Sequence, residues 1–125
     1  MRFIMLVKHA EKDWGPPPKD LMDAIAKMGE EAVKAGTMIA NGRLAPTAIS
    51  TRVRLSRGQV SAIDGPFTEA KEIVGGYAIF ELKSKEEAIQ GALQFMELHK
   101  KYWPEWEGDT EVRQIVGSED FAPKK

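Results

Sequence analysis

Four residues, Asp64-Gly65-Pro66-Phe67, are the most chemically suggestive run in the chain. A carboxylate at a strand end, beside a glycine that lets a ligand approach, serves as a general base if burial raises its pKa. The same carboxylate has a structural use. Pro66 offers no amide hydrogen, so the Asp64 side chain can instead accept from the amides of Phe67 or Thr68 and hold the turn. The two uses are compatible. His9, at the end of the first apolar run, is the candidate proton-transfer partner, or simply a polar residue at a strand end. Arg52, Arg54 and Arg113 offer guanidinium forks for a small acid, or partners for glutamates on neighbouring strands. Tyr77 offers a hydroxyl to a ligand or a ring to the sheet, and Phe67 joins these candidate ligand contacts. His99, late in a helix, reads as a solvated or capping side chain. Tyr102, Trp103 and Trp106 form either an apolar wall or the anchor of the last loop.

Composition narrows the chemistry. The 125 residues hold no cysteine and two histidines, which excludes disulfides, zinc-thiolate clusters and thiol nucleophiles and leaves little for a nitrogen-rich metal site. No metal or cofactor is expected. With 18 Lys and Arg against 19 Asp and Glu, the net charge of −1 lacks the basic footprint of a nucleic-acid or membrane-surface binder. Gly75-Gly76 enters a strand rather than a helix, so it is no phosphate loop. The apolar opening Phe3 to Val7 is cut off by charge too soon for a signal peptide, and nothing approaches a membrane span. These features predict a soluble, cytoplasmic protein.

The elements that must position these residues follow from periodicity. Phe3 to Val7 is a short apolar run suited to a strand covered on both faces. Trp14-Gly15-Pro16-Pro17-Pro18 is a loop, and Leu21, Met22, Ile25, Met28, Ala32 and Val33 recur at helical spacing until Gly36 stops the helix. Thr37 to Ala40 predicts a strand, with Asn41-Gly42-Arg43 as a turn or bulge. Ala48 to Leu55 and Val60 to Ile63 predict a hairpin about Ser56-Arg57-Gly58-Gln59, with Val53 and Leu55 facing away from Arg52 and Arg54. Tyr77 to Leu82 is a further strand. Ser84-Lys85-Glu86-Glu87 is a capping box opening a second helix, and Glu111 to Val116 is the last strand. One domain over residues 1–117 and a loose tail over 118–125 result.

This order is economical as an α+β, ferredoxin-like fold with both helices on one face of an antiparallel sheet. The first strand is apolar at both parities, Phe3, Met5 and Val7 against Ile4 and Leu6. A homodimer packed sheet against sheet is therefore expected.

The stretch Asp64-Gly65-Pro66-Phe67-Thr68-Glu69-Ala70-Lys71-Glu72-Ile73-Val74-Gly75-Gly76-Tyr77 resembles the signature of DGPF-type proteins of the YCII-related family. The likeness continues in Gly42-Arg43-Leu44-Ala45-Pro46, Val53-Arg54, Ser84-Lys85-Glu86-Glu87-Ala88 and Glu111-Val112-Arg113. It implies a dimeric α+β barrel of ferredoxin-like protomers with a cleft near the dimer interface. It also implies two functional leads. One is a small-organic-ligand module with a regulatory role linked to sigma factors. The other is an acid–base enzyme of lyase or dehydrochlorinase type, with Asp64 as base. The histidine of the enzyme-like branch belongs near the start of the first helix, where this chain has none, and His9 is the substitute.

Overall fold

The computed structural model describes residues 1–117, and the tail expected over 118–125 lies outside the described residues. The chain runs β1 (Arg2–His9), α1 (Lys19–Lys34), β2 (Met38–Arg43), a single 3-10 turn (Thr47–Ile49), β3 (Thr51–Ser56), β4 (Gln59–Asp64), β5 (Ile73–Glu81), α2 (Lys85–Tyr102) and β6 (Asp109–Ile115). Four strands form an antiparallel sheet in the order β2-β5-β1-β6, while β3 and β4 pair only with each other. With the hairpin set aside, this is the ferredoxin-like arrangement, the hairpin being inserted between the second and third strands of the sheet.

The core follows from the alternation of β1. Phe3 and Met5 point to the helices and are buried with Ala88 and Ala92 of α2, and Phe80, Leu82 and Val112 pack around them. Register places Phe80 opposite Phe3 and Val112 opposite Met5, so three strands contribute to one apolar layer. Leu21 anchors α1 and is 1% exposed. Small residues at positions 88 and 92 of α2 let that helix lie close to the sheet. The helix begins as the capping box predicts: the Ser84 hydroxyl accepts from the Glu87 amide at 3.2 Å. The reciprocal bond is displaced by one residue, since the Glu87 carboxylate accepts from the Lys83 amide at 3.3 Å.

Besides β6, which begins at Asp109 and not at Glu111, three boundaries differ from the sequence expectation. β2 runs on through Asn41-Gly42-Arg43 because these residues find partners on β5, opposite Ala78, Tyr77 and Gly76. β5 starts at Ile73, before the glycine pair, because His9 and Lys8 supply partners there. The residues from Thr47 to Ile49 turn instead of extending, and β3 begins only at Thr51. The hairpin turn is as expected, with Arg57 and Gly58 both at positive φ, 52° and 77°.

Phe3 is 1% exposed at the centre of this layer. Phe3→Ala is expected to cost about 3–5 kcal/mol of unfolding free energy, measured by urea denaturation; a loss under about 1 kcal/mol would show that the core lies elsewhere.

Candidate functional site

The C-terminal end of β1 gathers the polar and aromatic side chains that other segments bring to it. The His9 ring nitrogen Nδ1 lies 2.8 Å from the Ala10 carbonyl oxygen. A carbonyl only accepts, so Nδ1 carries the hydrogen, and in the neutral ring Nε2 is left as an acceptor. The imidazole lies against Gly75 of β5, where any Cβ would overlap Nε2, which explains the glycine at that position. Trp14 Nε1 donates to the same Ala10 carbonyl at 2.9 Å, so the proline-rich loop is tied to the strand end. Trp106 meets His9 edge-on at 6.1 Å and Trp14 at 6.4 Å between ring centroids.

On its other contacts Trp106 meets His99 at 4.6 Å and Trp103 at 6.2 Å. His99 is not a solvated cap. It is 8% exposed, its ring 4.7 Å from Phe95, and its Nδ1 lies 3.0 Å from the Phe95 carbonyl oxygen. Burial pushes its pKa below the ordinary histidine range, and the bond to the carbonyl only partly opposes this. Every fully buried side-chain nitrogen and oxygen among the described residues has a hydrogen-bond partner. His99 Nε2, which has none, therefore reaches the surface. It does so at an open cleft of about 300 Å³ lined by Met96, His99, Lys100, Pro104, Trp106 and Glu107. The wall reading and the anchor reading of the tryptophans are both realised, since Trp106 joins the last loop to β1 and also faces the cleft.

Glu11 sits two residues beyond His9. One oxygen of its carboxylate accepts from the Thr47 amide at 2.8 Å and the other from the Thr47 hydroxyl. These bonds, the hydroxyl first, hold the Glu11 carboxyl below the usual carboxylate range, with a smaller contribution from His9. The Thr47 hydroxyl in turn accepts from the Phe67 amide at 3.2 Å. That amide was expected to bind Asp64. The Asp64 carboxylate instead accepts from the Thr51 hydroxyl across the hairpin at 3.0 Å and is exposed. No hydrogen bond or ion pair joins Asp64 to His9 among the described residues.

The other candidates separate into two groups. Arg52 lies over the Phe67 ring at 4.0 Å and pairs with Glu69 at 2.6 Å. A backbone hydrogen bond and then Arg52 lower the Glu69 pKa, with a smaller contribution from the charge of Arg54. Through Phe67 and Thr47 this group connects to Glu11. Tyr77 and Arg113 belong to the sheet face that the helices do not cover: Tyr77 is opposite Leu6 with its ring across Gly42, and Arg113 is opposite Ile4. Arg113 makes a loose pair with Glu111 at 3.7 Å, and Glu111 also binds Lys8 at 2.9 Å. The structure thus joins Phe67 and Arg52 to Glu69, Thr47 and Glu11, and leaves His9, Asp64, Tyr77 and Arg113 outside those contacts. Glu11, Thr47, Trp14 and His99 were not singled out as site residues. Among the described residues no three His, Asp or Glu side chains are grouped to hold a metal ion, and no helix is long and apolar enough to cross a membrane.

A four-stranded antiparallel sheet with two helices on one face, extended by a hairpin that ends in the Asp64-Gly65-Pro66-Phe67 elbow, defines a small ferredoxin-like α+β protein. The YCII-related domain matches residues 1–95, and the chain belongs to that family. It is also similar to an uncharacterized protein of Rhizobium meliloti (strain 1021), 32% identical over 72 residues. That match covers 58% of this chain and 58% of the relative.

The buried imidazole sets a pH dependence. The folded-state pKa of His99 is below its unfolded value of 6.5, so above pH 6.5 neither state carries the proton and the group is neutral to stability. As pH falls below 6.5 the unfolded chain takes up the proton first, and stability declines down to the folded pKa. The urea midpoint of the wild type is therefore expected to fall between pH 7 and 5 more than that of His99→Gln; parallel profiles would show that His99 is not the buried titrating group.

Proposed function

We propose that the protein binds a small aromatic acid carrying a hydroxyl or amino group, in the cleft beside Trp106. The observation that carries this reading is the His99 imidazole beside the Trp106 indole, both lining the cleft. Its Nδ1 is committed to the Phe95 carbonyl, so His99 keeps Nε2 as an acceptor. An acceptor at a partly apolar wall selects a ligand with a flat body and a donor. Lys100 at the cleft adds a positive charge suited to a carboxylate, as a point charge. A volume near 300 Å³ suits one small ring rather than a nucleotide.

Tryptophan fluorescence titrated with 4-hydroxybenzoate tests it. Saturable quenching is expected, weaker with benzoate and weakened about tenfold in Lys100→Ala and in His99→Phe. Quenching that rises without saturation, or that both variants leave unchanged, overturns the reading.

We further infer that two copies pair through the sheet face opposite the helices. Ile4 and Leu6 of β1 lie beside Ile79 and Tyr77 of β5 on that face, half-buried by their neighbours and covered by no helix. An apolar sheet face of this kind is normally packed against another layer. The cleft beside Trp106 is on the helix side of the sheet, so pairing leaves it open. Light scattering is expected to return twice the 13.9 kDa chain mass at micromolar concentration. A 13.9 kDa particle that persists to the highest soluble concentration overturns the dimer.

A further inference from the structure

The β3–β4 hairpin is two-faced. Its register pairs Val53 with Ala62 and Leu55 with Val60, placing four apolar side chains on one face, and pairs Arg52 with Ile63 and Arg54 with Ser61 on the other. The apolar face is bare: Val53, Leu55 and Val60 are 70%, 72% and 72% exposed, and Ile49 at its foot is 78% exposed. Neither strand hydrogen-bonds to the main sheet. A two-stranded hairpin on its own is marginal in water, and exposed aliphatic groups clustered on one strip mark a contact surface.

The opposite face is already engaged with its own chain. Arg52 stacks on Phe67 and pairs with Glu69, and Gly65 donates its amide to the Ser50 carbonyl at 2.8 Å, which fixes the foot of the hairpin. Turning the bare face onto the chain's own sheet would break these contacts. A second chain meets it without breaking any.

We propose that the hairpin is an arm whose apolar face docks on a second copy of the chain, against the Ile4, Leu6, Tyr77 and Ile79 surface of the partner copy. The inference rests on the pairing of two copies argued above and assigns the arm a place in it. Two surfaces of the same chemistry occur on one chain, the bare face of the hairpin and the half-buried sheet face that no helix covers. A two-fold axis makes the arm of each copy cover the sheet face of the other and closes the assembly at two. The two arms bring apolar surface on the order of 1,000 Å², against roughly 1,600 Å² for a standard interface, and the sheet faces supply the remainder. The Thr51–Asp64 hydrogen bond ends the apolar strip at its foot, on the same face as Val53 and Leu55.

The test uses the full chain. The variant Val53→Thr, Leu55→Gln, Val60→Thr keeps strand-forming residues at two of three positions and is expected to weaken dimerisation about a hundredfold by sedimentation or light scattering. Its far-ultraviolet circular dichroism is expected to match the wild type. Because the chain has no cysteine, a preparation of Leu55→Cys mixed with one of Ile79→Cys reports the contact directly: a mixed disulfide forms only where an arm reaches the other copy's sheet. Unchanged dimerisation of the triple variant, or an intact dimer with no mixed disulfide, overturns the arm while the dimer stands. A wild-type monomer overturns both.

Discussion

One carboxylate and one buried threonine hold the irregular half of this molecule to its regular half. Glu11 leaves the end of β1 and takes both the amide and the hydroxyl hydrogen of Thr47, 36 residues away. The hydroxyl oxygen of Thr47 then receives the Phe67 amide. A charged acceptor makes the first two bonds stronger than neutral ones, and the burial of Thr47 makes their loss costly. Three segments that share no strand pairing are fixed through a single side chain. Gly65 belongs to the same construction, since a side chain there would run into the Thr47 carbonyl. The position of the hairpin, and of Phe67 beneath Arg52, depends on this junction.

The sheet divides the protein into two surfaces with different chemistry. On the helix side, β1 contributes Phe3 and Met5 to the core and then His9 to the aromatic group around Trp106. On the opposite side it contributes Ile4 and Leu6, half-buried and away from the helices, bordered by the Lys8–Glu111 pair. Because successive residues of a strand alternate, one short segment serves both surfaces. Each histidine is held in one tautomer by a main-chain carbonyl, so at the cleft the orientation of His99 is set by the backbone and not by another titrating group.

Much of the fold was legible in the sequence because its signals are local or periodic. The apolar run of β1, the helical spacing from Leu21 to Val33, the Ser84 cap and the Arg57-Gly58 turn all reported their elements. What was not legible depended on partners distant in sequence. The glycine pair at 75 and 76 sits inside a strand because β1 and β2 flank it, and residues 47–49 turn because Thr47 must meet Glu11. The burial of His99 was hidden for the same reason: its helix position suggested solvent, and only the return of the last loop places Trp106 against it. The Glu11–Thr47–Phe67 junction was hidden too, because its bonds span 36 residues between Glu11 and Thr47 and 20 between Thr47 and Phe67.

The tetrapeptide elbow shows how a chemically suggestive motif can be consumed by architecture. Asp64 closes the foot of the hairpin with Thr51, Gly65 leaves room for the Thr47 carbonyl and donates to Ser50, and Phe67 gives its amide to Thr47 and its ring to Arg52. Each of these residues is the type that its contact requires: a charged acceptor for a hydroxyl, no Cβ at a close approach, a flat face for a guanidinium. A general base would instead need its carboxylate desolvated, with a proton acceptor or donor of the substrate within reach. Asp64 is exposed and accepts from the Thr51 hydroxyl, so in this fold the acidic elbow is what fixes the foot of the hairpin.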